Sequence, residues 1–307
     1  GANLADLWID NRSTTWSAEE VTEFCDELAS TWNNDDFRMD SCEGRNIVPG
    51  AMFYNNNNDE RIINSLWHGI SPDANSNRIW MPDGHSDGRL AVTADEIVID
   101  AHVIEPLDLG IGDIITIGAG AASAEFTIVG YGYHPVHIFM APEGSLFPPE
   151  AGEYVVGYLS ELGMARLTGN QVGASNTILL DIDGTPSFDL PDTTEFEGGE
   201  IELVKSMVDE SLSATQLDAR VRDRGQIEQV EIMRQDLEGA KRMATPFTIM
   251  IAAIASITII LSLQRLVQSQ AKEIAALRTL GVKRKSLLTG YLLAPIIIGS
   301  VGCLIGC

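Results

Sequence analysis

The chain has 307 residues, of which 45% are hydrophobic and 21% charged, and a formal net charge of −24. Residues 1–242 contain 14 Lys and Arg against 43 Asp and Glu, a net charge of −29, whereas the remainder carries +5. So acidic a surface repels nucleic-acid phosphates, which argues against nucleic acid as a partner. The length is enough for one or two domains.

The first 90 residues alternate between strand and helix patterns. Ser17 and Glu20 have the spacing of a capping box, which predicts a helix that begins there and ends near Thr31. Three further runs predict strands, with a polar turn at Asn55–Glu60 before the last: Ala5–Asn11, Phe37–Cys42 and Arg61–Gly69.

The next hundred residues contain short, β-branched, apolar runs separated by Gly and Asp turns, a pattern typical of a small barrel or twisted sheet. The runs predicted as strands are Glu96–Ala101, Asp113–Ile117, Glu125–Tyr131, Val136–Met140 and Asn176–Asp183. Tyr158–Thr168 is predicted to be helical, Thr185–Gly199 a surface loop, and Gln226–Arg242 a helical stalk. The predicted fold class is α+β: a mixed sheet or small barrel with helices, followed by apolar helices.

Two features of the acidic part suggest covalent modification. Cys25 and Cys42 are able to close a short disulfide loop outside the cytoplasm, and the alternative is two separately buried thiols. Asn11-Arg-Ser13 is a glycosylation sequon, although so short a motif often occurs by chance.

Two patterns resemble catalytic or metal sites. Asp181-Ile-Asp183-Gly-Thr resembles the first motif of haloacid-dehalogenase-type phosphatases. Only Lys205 and Lys241 follow it before the apolar runs, and the later acidic motif of that family is missing, so an ordinary strand and turn is preferred. His134 and His137 suggest metal ligands, with His68 or His85 as a further candidate, but on a strand they would point to opposite faces. A structural role is therefore preferred for them, and no catalytic, cofactor or metal residue is predicted.

Two long apolar runs lie in the C-terminal part. Pro246–Leu263 has no charged residue and approaches the roughly 20 residues that span a bilayer. Ser286–Cys307 is also apolar and contains four glycines, which are common in membrane helices. The 22 residues between them, 264–285, carry six positive charges and one negative, so the positive-inside rule predicts that this loop is cytoplasmic.

These patterns predict a multi-pass cell-membrane protein in contact with lipid, with residues 1–244 outside the cytoplasm and 264–285 inside. Because the chain starts at Gly1 without a signal peptide, we expect an earlier membrane helix and truncation at both ends. The predicted segments are 1–225, an outer domain; 226–244, a stalk helix; 245–263, a membrane helix; 264–285, the basic loop; and 286–307, an incomplete membrane helix.

The basic loop contains its own short helical pattern. Ile274, Leu277 and Leu280 recur at roughly helical spacing, and Gly281 is placed to terminate the helix. One interpretation is a basic anchor that only fixes topology. The other is a helix that offers an apolar stripe and charges to a cytoplasmic partner.

The stretch Glu273-Ile-Ala-Ala-Leu-Arg-Thr-Leu-Gly281, between a membrane helix and a second apolar run, resembles the signature of FtsX/MacB-type ABC-transporter permeases. In that family an Arg/Lys-Glu-Ile-Ala-x-Leu-Arg-Ala-Leu-Gly stretch follows a membrane helix. Upstream, three segments resemble the family's periplasmic core domain: Glu96–Asp100, Leu107–Asp113 and Phe126–Gly130.

The resemblance implies a permease subunit of the mechanotransmission type, which couples ATP hydrolysis in a separate ATPase to export or extraction of a substrate. The chain itself would bind no cofactor, since ATP and Mg²⁺ belong to the ATPase, and two permeases would form a homo- or heterodimer. The alternative is an FtsX-like signal transmitter that activates an extracellular partner without transport. The residues implied to contact the ATPase are Lys272, Glu273, Ile274, Leu277, Arg278, Leu280 and Gly281.

Overall fold

The computed structural model describes residues 3–32, 38–56, 59–81, 88–138, 140–142, 144–145, 149–183 and 200–283, and six scattered positions after these. The chain divides into two compact units, Gly1–Asp236 and Leu237–Cys307. Each is described by itself below.

The first unit contains a mixed sheet with three helices packed on it. Its strands are β1 (Leu7–Asn11), β2 (Arg38–Asn56), β3 (Asp59–Gly69), β4 (Glu96–Asp100), β5 (Ile114–Ala119), β6 (Ala122–Gly132), β7 (Tyr154–Leu159), β8 (Thr177–Asp183) and β9 (Ala219–Asp223). Its helices are α1 (Ala18–Thr31), α2 (Glu161–Thr168) and α3 (Glu200–Thr215). The predicted α+β class with a small barrel is confirmed.

Six strands close on themselves. The order β3-β7-β4-β6-β5-β2 is completed by pairing of β2 with β3, so these strands form a small barrel. The remaining strands continue from β2 in the order β8, β1 and β9. The 19-residue β2 serves both parts, because Arg38–Arg45 pairs with β8 while Asn46–Asn56 pairs with β3.

Trp67 fills the barrel interior. Its side chain is fully buried, and its indole Nε1 donates to the carbonyl of Gly118 at 2.9 Å. A Cβ at Gly50 would lie 2.1 Å from Nε1, and one at Gly157 would lie 2.7 Å from Cζ3 of the same ring. Glycine at both positions therefore makes the space that the ring occupies, and the buried indole keeps a hydrogen-bond partner.

The four-stranded part of the sheet, formed by β2, β8, β1 and β9, is covered by α1 and α3. The predicted capping box begins α1: Ser17 Oγ accepts from the amide of Glu20, whose carboxylate accepts from the amide of Ser17. Phe24 and Leu28 of α1 pack in one core with α3 and with apolar residues of β1 and β8. Cys25 and Cys42 form a disulfide that joins α1 to β2.

Most predicted strands are present, but two assignments are wrong. Val136–Met140 is not a strand, since the described residues there form a turn after β6. Tyr158 and Leu159 belong to β7 rather than to a helix, and α2 begins only after Ser160, whose side chain caps it. The predicted loop Thr185–Gly199 lies outside the described residues. Strands β7 and β9, helix α3 and the second half of β2 were not predicted.

Helix α4 (Glu228–Ser269) contains the predicted apolar run, and from Leu237 it belongs to the second unit. Within it, Gln235–Ser269 is long and apolar enough to cross a membrane, with a mean hydropathy of 2.2 in its most apolar window, none of it buried. It is the one such helix among the described residues. The second predicted run, Ser286–Cys307, lies mostly outside them.

Three of the four hydroxyl groups inside the apolar run Pro246–Leu263 are satisfied by the helix itself. Thr248, Ser256 and Thr258 each donate to the carbonyl four residues earlier, at 2.8, 2.7 and 2.9 Å. Such bonds remove the cost of an unpaired hydroxyl in an apolar surrounding. These three residues are therefore compatible with lipid around the helix.

Candidate functional site

The predicted helix of the basic loop is present as α5 (Ala271–Thr279). It ends in a Schellman motif: Gly281 has a φ of +85°, and the amide of Val282 donates to the carbonyl of Leu277 at 3.2 Å. Glycine suits this left-handed position because it has no Cβ. The prediction that Gly281 caps the helix is confirmed.

Apolar side chains of α5 and of Leu280, which follows it, are exposed within the second unit. Leu277 is 42% exposed and Leu280 81% exposed, while Ile274 is half-buried. Lys272 and Glu273 are exposed beside them. The backbone of Arg278 lies in α5, but its side chain is outside the described residues. The segment thus combines exposed leucines with charges on one short helix, a combination suited to a protein partner.

Three histidines meet in the first unit. His68 on β3 and His134 and His137 after β6 are all buried, and their ring centroids are 4.8 to 5.2 Å apart. The Nε2 atoms of His68 and His137 are 2.8 Å apart, a distance that requires one proton between them. The prediction that His134 and His137 face opposite ways is wrong, because the segment is a turn closed by the amide of His137 on the carbonyl of His134.

The surroundings of these three histidines disfavour their protonated forms. Burial lowers the pKa of His68 and His134 well below the usual value, with neighbouring histidines and Arg45 acting in the same direction. Burial also lowers the pKa of His137 to about 4. No group of three or more His, Cys, Asp or Glu within the described part of the chain is arranged to hold a metal ion. His85 lies outside it.

Asp181 lies within β8 rather than at its end. Its register partner is Ser41 on β2, its Oδ2 accepts from the side-chain amide of Asn3 at 2.7 Å, and it is 7% exposed. Burial raises its pKa. A phosphatase nucleophile must reach its substrate as a carboxylate, so this position favours a structural role. The side chain of Asp183 is outside the described residues.

Asn11 ends β1 at a surface turn. Its side-chain oxygen accepts from the amides of Ser13 and Thr14, at 2.8 and 3.1 Å. The side chain therefore already stabilises the turn as an Asx motif. Glycosylation there stays a prediction.

Sequence reasoning missed a second polar group next to the histidine cluster. Asp100, fully buried at the end of β4, accepts from Tyr158 at 2.8 Å and lies 2.7 Å from Nδ1 of His102. The hydrogen bond to Asp100 raises the pKa of His102. The one signal for this group in the sequence is that a charged residue, Asp100, ends a run of apolar residues. The strand register that brings Tyr158 next to Asp100 is not visible in the sequence.

Residues 246–307 match the family model described as FtsX-like permease C-terminal. No curated protein sequence matches the chain.

Two solved structures are similar to this chain. The periplasmic region of MacB from Actinobacillus actinomycetemcomitans is 10% identical with a TM-score of 0.38, and the match covers 76% of this chain and 92% of that one. The extracellular domain of the noncanonic ABC-type transporter YknZ from Gram-positive bacteria is 11% identical with a TM-score of 0.35, and the match covers 72% and 99%. The family-model match confirms the resemblance to FtsX-type permeases over residues 246–307.

Proposed function

We propose that the chain is the permease subunit of an ABC transporter of the mechanotransmission type. The single observation that carries the proposal is the coincidence of the FtsX-like match at residues 246–307 with a capped helix whose leucines are exposed. Residues 1–244 lie outside the cytoplasm in this proposal, and the basic loop 264–285 lies inside.

Helix α5 is the contact with a cytoplasmic ATPase. Leu277 and Leu280 present apolar area to the partner, and Lys272 and Glu273 set its orientation through charge. The Schellman cap holds the end of the helix, so Leu280 keeps a defined direction. ATP and Mg²⁺ belong to that ATPase, and a second permease chain completes the assembly.

Co-purification of the ATPase with the full chain tests this contact. Leu277→Asp places an unpaired charge in the apolar centre of the interface, so the ATPase is expected to be lost at least tenfold. The matched control is Leu162→Asp, since Leu162 is 48% exposed on α2 in the first unit. Equal retention of the ATPase by both variants would contradict the proposal.

The signal-transmitter alternative shares this contact and differs in outcome. A transporter moves a substrate in an ATP-dependent way, whereas a signal transmitter activates an extracellular partner without any substrate being moved. A substrate-accumulation assay on cells with the full-length protein therefore separates them, and Leu277→Asp supplies the uncoupled baseline for both.

A further inference from the structure

A cavity of about 450 Å³ opens beside the histidine cluster in the first unit. Its size falls in the range of small-molecule sites. Its apolar wall is formed by Trp80, Tyr133, Pro135 and Ile138, and its polar lining by His102 and by His134 and His137 of the cluster. None of these residues belongs to α5, so the cavity is unrelated to the proposed ATPase contact.

The aromatic wall is held by the backbone. Trp80 and Tyr133 form an isolated β-bridge in which each amide donates to the other's carbonyl, at 2.8 and 2.9 Å. The two rings lie 5.9 Å apart, yet Trp80 remains 56% exposed. Ile138 next to them is 51% exposed. Large side chains left open around a fixed backbone give a preformed apolar surface.

His102 is oriented by a buried carboxylate. Its Nδ1 is bonded to Asp100, and its ring stands edge-on to Tyr133 with centroids 4.9 Å apart and an interplanar angle of 80°. Its Nε2 has no hydrogen-bond partner among the described residues, and its side chain is 41% exposed. In the protonated form both ring nitrogens are donors, so Nε2–H offers one directed hydrogen bond at the cavity.

Charge decides which acceptor suits this donor. In the protonated form the charge of the His102 ring is balanced by Asp100, and residues 1–242 carry a net charge of −29, which disfavours an anion. A neutral carbonyl oxygen accepts the same hydrogen bond without that repulsion. We infer that this cavity binds an uncharged, flat, apolar molecule whose carbonyl oxygen accepts from Nε2 of His102 while its ring packs on Trp80 and Tyr133.

The test uses the full chain in lipid nanodiscs and two matched probes, indole-3-carboxaldehyde and 3-methylindole, which share a ring and differ in the carbonyl. Binding is measured by saturation-transfer NMR, with empty nanodiscs subtracted. We expect the aldehyde to bind at least fivefold more tightly than 3-methylindole. Equal affinity for the two probes, or no binding of either, would overturn the inference.

Variants locate the binding. Trp80→Ala is expected to weaken both probes about tenfold, whereas His102→Leu removes the preference for the aldehyde and His102→Gln, which keeps a donor, retains part of it. Phe53→Ala is the control, since Phe53 is an exposed aromatic residue on β2, outside the cavity lining. Thermal unfolding verifies that each variant is folded. Unchanged binding in Trp80→Ala, or equal loss in Phe53→Ala, contradicts the site.

Discussion

The two units bury their apolar residues against different surroundings. In the first unit, Trp67, Phe24 and Phe126 are fully buried among other side chains, and the many carboxylates lie around them. In the second, Ile254, Ile257 and Ile260 are all more than half exposed along one helix. The first pattern is suited to water outside, and the second is compatible with lipid around the helix. The difference shows that a single average hydropathy describes neither part.

The largest expected effect is in the barrel. Trp67→Ala removes a fully buried ring and its hydrogen bond to Gly118, and should lower the free energy of unfolding of the first unit by about 3–5 kcal/mol. Urea unfolding of the full chain in nanodiscs, followed by near-ultraviolet circular dichroism, measures it. Trp80→Ala, at an exposed tryptophan, is the control and should cost under about 1 kcal/mol. An equal loss of stability in the two variants would contradict the assignment of the barrel interior as a core of the first unit.

A charged substitution in the apolar run of α4 should reduce membrane insertion rather than the stability of the first unit. Ile257→Asp puts a charge in the middle of the candidate span and should disfavour membrane integration by about 3 kcal/mol. The membrane-integrated fraction after carbonate extraction measures the loss. Ile257→Leu should change nothing, and an Asp variant that integrates normally would contradict a lipid-facing position.

Loss of the disulfide should destabilise only the four-stranded part. Cys25 and Cys42 are 17 residues apart. Closing a loop of that size lowers the conformational entropy of the unfolded chain and so stabilises the folded state by about 3 kcal/mol. Thermal unfolding of the double variant Cys25→Ser and Cys42→Ser measures the effect. Unchanged stability on reduction of the unmodified chain would show that the bridge is not formed.

Mild acid should weaken the first unit through its buried histidines. An unfolded histidine takes up a proton near pH 6.5, while burial lowers the pKa of His137 to about 4 in the folded chain. The unfolded state therefore binds more protons between these values, and stability present above pH 6.5 is lost as the pH falls towards 4. From pH 6.5 to 5.5 this amounts to about 1 kcal/mol for His137 alone.

The control for this prediction follows from the charged groups that face the histidine cluster. Arg45 opposes protonation of His68 and His134, whereas Asp100 raises the pKa of His137. Denaturant titrations at several pH values measure the slope, and His137→Gln should reduce it. A slope unchanged by that substitution would assign the acid sensitivity to other groups.

Local signals in the sequence predicted local structure well. The capping box at Ser17 and the terminating Gly281 were found because each depends only on residues within one turn. The full length of β2 was not found, because Gly44, Pro49 and Gly50 interrupt it with residues that strands usually avoid. Gly50 makes room for the Trp67 ring inside the barrel, whereas a Cβ at Gly44 would meet Ser175 and Val21 outside it.

The histidine cluster shows why sites assembled over long distances escape such reasoning. His68 is more than sixty residues from His134, and the two meet through the pairing of β3 with β7 and the turn after β6. A strand assignment for Val136–Met140 pointed the two nearby histidines apart, so one wrong local element hid the cluster. The cavity at His102 depends in the same way on register.

The most direct test of the central claim is photo-crosslinking from position 280. Leu280 is 81% exposed at the capped end of α5, so a benzoylphenylalanine there should form an adduct with the ATPase subunit in native membranes. The same probe at Leu162, on α2 of the first unit, should form none. An adduct at position 280 alone is the result expected for a cytoplasmic ATPase contact. No ATPase adduct at 280, or one at 162, would contradict it.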